Sequence, residues 1–132
     1  MRFVTTGAQT QGVSSTIVTE VPAGGGPPAH VHTREDETYV ITRGHFRFWL
    51  GKDVIDAPAG KVVYLPRNVP HQFENVGDMT GELVVMVEPS GLGRMFLTMA
   101  QQNLQAPRDM AQLVKLGQDY GITYLPPLNA PH

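Results

Sequence analysis

His30, His32 and Glu37 are the residues of this chain whose types and spacing point most directly to chemistry. Side chains alternate between the faces of an extended strand, so His30 and His32 point the same way, about 7 Å apart along it. That separation suits two ligands of one metal ion. Glu37 lies an odd number of residues from His32 and cannot share that face by continuing the strand. A loop through Thr33, Arg34, Glu35 and Asp36 returns it to the same centre from a following strand. Two imidazoles and one carboxylate leave a fourth ligand to be supplied downstream, and His71 is the natural choice. An isolated HxH pair usually marks two polar residues on a solvated strand face, so the weight rests on Glu37 and His71 completing the set.

The elements that must position these residues are short and extended. VSSTIVTEV, residues 13 to 21, is rich in β-branched residues and predicts a strand that Pro22 ends. AGGGPP is a turn leading into the HVH strand. ETYVI, HFRFWL, Val54 to Ile55, KVVYLP and the stretch carrying His71, Phe73 and Asn75 follow, separated by Gly, Pro and Asp. In HFRFWL the phenylalanines alternate with His45, Arg47 and Trp49, which puts His45 on the outer face. ELVVMVEP is a continuous apolar run and predicts a strand covered on both sides. About eight short strands with turns between them predict an all-β sandwich or barrel. The last third changes period. Phe96, Met99, Ala100 and Asn103 recur at helical spacing, and a second helix follows Pro107 with Met110, Leu113 and Val114 on one side. Lys115 and Gly121 fit its C-terminus, and ITYLPP is then a short extended tail.

Composition narrows the chemistry. At 132 residues the chain is one domain, with a barrel core over about 13 to 89 and a helical extension over about 92 to 120. The absence of Cys excludes disulfides, a thiolate nucleophile and iron–sulfur clusters, so a metal must sit on nitrogen and oxygen. A net charge of −2 with 10 Lys and Arg and no basic cluster argues against nucleic acid as a partner. MRFVTTGAQTQGVSS lacks the apolar run of a signal peptide, and no stretch approaches the roughly 18 apolar residues of a membrane span. The expectation is a cytoplasmic protein, off the membrane, with a small-molecule substrate. No nucleophile elbow surrounds Ser14, Ser15 or Ser90, and GGGPP is not a phosphate cradle.

These residues carry a resemblance. GGGPPAHVHTREDETYVITRG resembles the first cupin motif, G(X)5HXH(X)4E(X)6G, filled by Gly24, His30, His32, Glu37 and Gly44. GKVVYLPRNVPHQFEN resembles the second, G(X)5PXG(X)2H(X)3N, filled by Gly60, Pro66, His71 and Asn75. Asn68 stands where the family has Gly; Asn is the residue other than Gly that best tolerates a left-handed backbone, which preserves the turn. The resemblance implies an antiparallel jelly-roll β-barrel of the cupin superfamily with two C-terminal helices, a homodimer, and a metal held by His30, His32, Glu37 and His71. Three neutral imidazoles and a carboxylate suit one divalent transition metal, Fe, Mn, Ni, Cu or Zn, and leave two octahedral positions open.

The C-terminal helices and the HTREDE loop resemble small bacterial cupins described as quercetin 2,3-dioxygenase-like. That implies a dioxygenase acting on a flavonol-like or other enolisable aromatic bound to the metal, with Glu37 as ligand and as the base accepting the substrate proton. Tyr39, Phe48, Phe73 and Met86 are the expected walls of the substrate pocket, and Met95, Phe96 and Met99 are expected at the barrel mouth, at a dimer contact or simply packed between a helix and the sheet. Glu35 and Asp36 are expected in a solvated acidic loop, from which either could reach the back of a metal ligand or the pocket mouth. Two alternatives stand beside the oxygenase: a non-redox metal-dependent isomerase, lyase or decarboxylase, and a non-catalytic small-molecule-binding cupin.

Overall fold

Ten strands and two helices build the molecule, seen in a computed structural model that describes residues 1–129. The strands are β1 (Arg2–Thr5), β2 (Ser15–Val21), β3 (His30–His32), β4 (Asp36–Arg43), β5 (His45–Leu50), β6 (Asp53–Pro58), β7 (Val62–Leu65), β8 (His71–Asn75), β9 (Gly81–Glu88) and β10 (Ile122–Tyr124). The helices α1 (Leu92–Gln101) and α2 (Met110–Asp119) lie between β9 and β10. Two five-stranded antiparallel sheets form a jelly roll, ordered β1-β2-β9-β4-β7 and β10-β3-β8-β5-β6. The predicted architecture, all-β with two C-terminal helices, is the observed one.

The core is made by alternation. β4 buries Tyr39 and Ile41, β5 buries Phe46 and Phe48, and β9 buries Leu83, Val85 and Val87, so the inner faces of the two sheets meet in one apolar layer. Gly44 turns β4 into β5 at φ +95, and a Cβ there would lie 3.0 Å from the Cα of Gly81. Only Gly accommodates both the turn and the close approach. Asn68 does adopt the left-handed conformation expected of it, at φ 67. Asn75 is buried for a structural reason: its amide donates to the carbonyls of Val21 and Met79, and its oxygen accepts from the Gly77 N–H.

Four expectations change. β9 is not covered on both sides: Glu82, Val84, Met86 and Glu88 point away from the core, and Met86 is 37 % exposed between Thr16 and Thr38 in register. An unbroken apolar run signals two-sided burial only when a second layer exists, and no described element covers the outer face of this strand. The ITYLPP tail is an edge strand, with Ile122 paired to His32 and Tyr124 to His30. Residues 2–5 add β1, which was not expected, because four residues on a sheet edge carry almost no periodic signal. β2 starts two residues late, at Ser15, after the left-handed turn at Gln11 and Gly12.

Phe48 has no exposed surface and packs its ring 5.4 Å from Tyr39 and 5.2 Å from Phe73, centroid to centroid. Removing a ring from such a core leaves a cavity as well as losing its transfer energy. Phe48→Ala should therefore lower unfolding stability by about 3–5 kcal/mol, read from urea denaturation. A loss below about 1 kcal/mol would show that this side chain lines an adaptable pocket instead.

Candidate metal centre

His30 and His32 share the inward face of β3, as their spacing requires, and both are buried. His71 opens β8 directly opposite His30 in the antiparallel register. Glu37 comes from β4 in the other sheet, so the site bridges the two layers with three imidazoles on one side and a carboxylate on the other. One ligand atom from each residue can be chosen so that all four lie within 4.8 Å of one another. The imidazole centroids of His30 lie 4.8 Å from His32 and 4.4 Å from His71, and the His32 and His71 rings stack at 5.1 Å.

The orientation of each ring follows from what stands behind it. A carbonyl can only accept, so His30 Nδ1 donates to Pro28 O at 2.7 Å and His71 Nδ1 to Val69 O at 3.3 Å. Both rings then present a bare Nε2 lone pair to the centre. His32 Nε2 and His71 Nε2 stand 3.1 and 3.2 Å from Glu37 Oε1 without the alignment of a hydrogen bond, and all three atoms are buried without a partner. Lone pairs facing a carboxylate in a dry interior repel unless a proton or a cation separates them. A divalent transition metal resolves all of these contacts, and the mixed nitrogen and oxygen donor set is one such ions favour.

The remaining groups hold the carboxylate in place. Tyr39 Oη donates to Glu37 Oε2 at 3.2 Å, which leaves Oε1 turned toward the imidazoles. Burial and the adjacent Glu37 charge push the Tyr39 phenol well above its ordinary value, so it remains a donor. Burial alone would raise the Glu37 carboxyl, but in the metal-free chain a proton on the facing nitrogens of His32 and His71 outweighs it and holds this group below the usual carboxylate range. Burial, followed by the neighbouring His71 and His32, pulls His30 down to about 3.

A cavity of about 260 Å³ opens onto this cluster. Tyr39 and Phe73 line it as expected. Phe48 does not, being sealed behind them in the core, and Met86 lies on the opposite face of its strand from the cavity. Met95, Phe96 and Met99 of α1 roof the cavity, with Ile122 and Tyr124 of β10, whose ring centroid sits 5.9 Å from that of His30. The sequence does not signal the cavity contribution of β10, because three residues with no periodicity cannot declare a pairing partner. His45 lies on the surface as expected, paired with Asp56. Asp36 also stays partly exposed, gripping Arg67. Glu35 takes the alternative to the solvated loop: only 3 % exposed, it is turned inward behind His32.

A family model described as the cupin domain matches residues 17–87, more than half of the chain and all four clustered residues. An uncharacterized protein of Methanocaldococcus jannaschii is 30% identical over 59 residues, which is 45% of this chain and 47% of that one. The match thus spans about half the length of that relative. Among solved structures, a protein with a double-stranded β-helix domain from Klebsiella pneumoniae is similar at a TM-score of 0.59 and 22% identity, over 69% of this chain and 77% of that one. A protein described as a predicted oxalate decarboxylase from Thermotoga maritima matches at 0.60 and 22%, over 65% and 75%. KdgF from a Halomonas species matches at 0.60 and 15%, over 67% and 76%. At these identities the solved structures establish the shared fold.

Two measurements follow from the cluster. Wild-type protein should take up one equivalent of a divalent transition ion, and His71→Ala should abolish stoichiometric uptake in metal analysis; unchanged uptake would place the metal elsewhere. An imidazole near 3 in the folded chain and about 6.5 in the unfolded one binds less proton when folded between those values. Stability of the metal-free protein should therefore fall as pH drops from about 6.5 toward 3, at up to about 1.4 kcal/mol per pH unit. Glu37, held low, adds loss in the same direction below its unfolded value of about 4.3. Urea midpoints across this range read the slope, and a flat profile would contradict it.

Proposed function

Because the chain belongs to the cupin family, we propose that it is a metal-dependent oxygenase acting on a compact, uncharged, enolisable aromatic of flavonol-like chemistry. The observation that carries this reading is the character of the cavity. It ends on the His30, His32, Glu37 and His71 cluster, yet no Lys or Arg among the described residues lines it. Its walls are Ile17, Val21, Leu83, Val85, Phe73 and the Met95, Phe96 and Met99 roof. Apart from a metal on the cluster, a carboxylate or a sugar acid entering such a pocket would find no Lys or Arg side chain to replace its hydration. A flat aromatic loses little and gains contact with Tyr39 and Phe73. At about 260 Å³ the space is near the lower end for ligand pockets, roughly 300–1,000 Å³, which favours a compact ring system.

A redox-active divalent ion held by the four residues would supply Lewis acidity toward a substrate oxygen and electron transfer to dioxygen. The chain's own residues do the rest. The aromatic and methionine walls fix the ring plane and exclude water from the reacting atoms. Glu37, its Oε1 turned toward the imidazoles, would serve as ligand and take the proton of a substrate hydroxyl beside it, while the Tyr39 hydroxyl keeps Oε2 occupied and the carboxylate oriented. Enolisable substrates are favoured for this reason: they give up a proton to a carboxylate most readily when the resulting anion is delocalised.

Protein loaded separately with Fe, Mn, Ni and Cu should consume oxygen with a flavonol or 1,3-diketone panel in at least one metal form. Glu37→Gln should lower that rate by about 10²–10⁴-fold, the range of a lost general base. Oxalate and uronates should be inert. Turnover of an acid or sugar without oxygen uptake would replace this reading with the non-redox enzyme, and metal binding without any turnover would replace it with a binding protein.

A further inference from the structure

Glu35 occupies none of the fixed positions of the cupin motifs and does not line the cavity, yet it is buried, and its Oε2 has no hydrogen-bond partner. The loop that carries it is held from outside on every neighbouring residue. The Thr33 N–H and hydroxyl both donate to Gly121 O at 3.0 Å, Arg34 donates to Asp119 O at 3.0 Å, and Asp36 is engaged with Arg67. The clamps on Thr33 and Arg34 come from the end of α2 and the turn before β10, at Gly121, where φ is +74 and a Cβ would fall 2.6 Å from Thr33 Oγ1. With its neighbours pinned outward, the Glu35 side chain is turned in.

Inside, its carboxylate meets the unpartnered back of one ligand. Glu35 Oε2 lies 3.9 Å from His32 Nδ1, the one imidazole of the three whose Nδ1 has no carbonyl to receive its proton. No Lys or Arg among the described residues pairs with this carboxylate: Arg34 is spent on Asp119 and Arg67 on Asp36. A buried anion without a partner destabilises the metal-free fold. Its position makes sense when a dication sits on the other side of the ring.

We infer that Glu35 is a positioning residue of the metal centre, accepting the Nδ1 proton of His32 so that Nε2 is presented as a strengthened ligand. The inference rests on the four-residue cluster being a metal site. A carboxylate behind a ligating histidine fixes its tautomer and raises its basicity, and loss of such a partner weakens metal binding by about 10–100-fold. It also brings the buried charge to two carboxylates around a dication, where Glu37 alone leaves a net positive site.

The experiment is titration of metal-free protein with Co²⁺ alone, read by dissociation constant and visible spectrum, with thermal unfolding of the metal-free form alongside. Glu35→Ala should raise the Co²⁺ dissociation constant about 10–100-fold and shift the ligand-field bands. Glu35→Gln keeps an acceptor oxygen without the charge and should lose less. Both metal-free variants should unfold at or above the wild-type temperature, since an unpartnered buried carboxylate has been removed. Dissociation constants within twofold of wild type with unchanged spectra would overturn the inference. So would an affinity loss matched by a fall in apoprotein melting temperature, which marks a purely structural role. Wild-type protein that takes up no Co²⁺ would overturn the metal-site reading itself and this inference with it.

Discussion

The structure depends on the convergence of unpartnered lone pairs between its two sheets. His32 Nε2, His71 Nε2 and Glu37 Oε1 are buried and unsatisfied. Such an arrangement is unfavourable in a low-dielectric interior, where each buried polar atom without a partner costs about 1–3 kcal/mol and an unneutralised charge costs more. The core of Phe46, Phe48, Ile41 and Leu83 has to bear that burden in the metal-free chain. A dication bound there would convert the same atoms from a penalty into a link between the sheets, tying β3 and β8 on one side to β4 on the other. Metal affinity and fold stability would then be one quantity measured two ways.

Antiparallel pairing sets the geometry. Period-two alternation places His30 and His32 on one face, and the register that aligns His30 with His71 brings the third imidazole beside them without any loop being specially shaped. Glu37 is different. It must cross from one sheet to the other, and the residues between His32 and Glu37 make that crossing. Fixing this short connection fixes the distance from His32 Nε2 to Glu37 Oε1, so the loop's outer anchors at Gly121 and Asp119 bear on the inner geometry.

What was legible beforehand divides along the same line. His30, His32, Glu37 and His71 were recognisable because alternation and fixed spacing are properties of neighbouring residues, and the strand faces of HFRFWL followed for the same reason. Met86 was misplaced because an apolar run reports hydrophobicity, not which face has a layer over it. Glu35 and Asp36 look alike in a sequence; their separation into one buried and one partly exposed carboxylate is decided by anchors some 85 residues away in the chain. Tyr124 was unreadable on the same grounds, since its place beside His30 comes from an edge pairing of three residues.

The division of labour in the molecule follows from these distances. The stretch matched by the cupin family model, residues 17–87, contains every clustered ligand and most of the core. The segment beyond it contributes none of the four ligands but supplies Met95, Phe96, Met99, Ile122 and Tyr124 to the cavity, and the clamp on the loop between His32 and Glu37. A roof made of unbranched methionines and a ring adapts to the shape of a flat guest more readily than to the fixed donors a polar guest requires. The helical extension thus acts on both halves of the site at once: it shapes what can reach the four ligands, and it holds the loop that aims two of them.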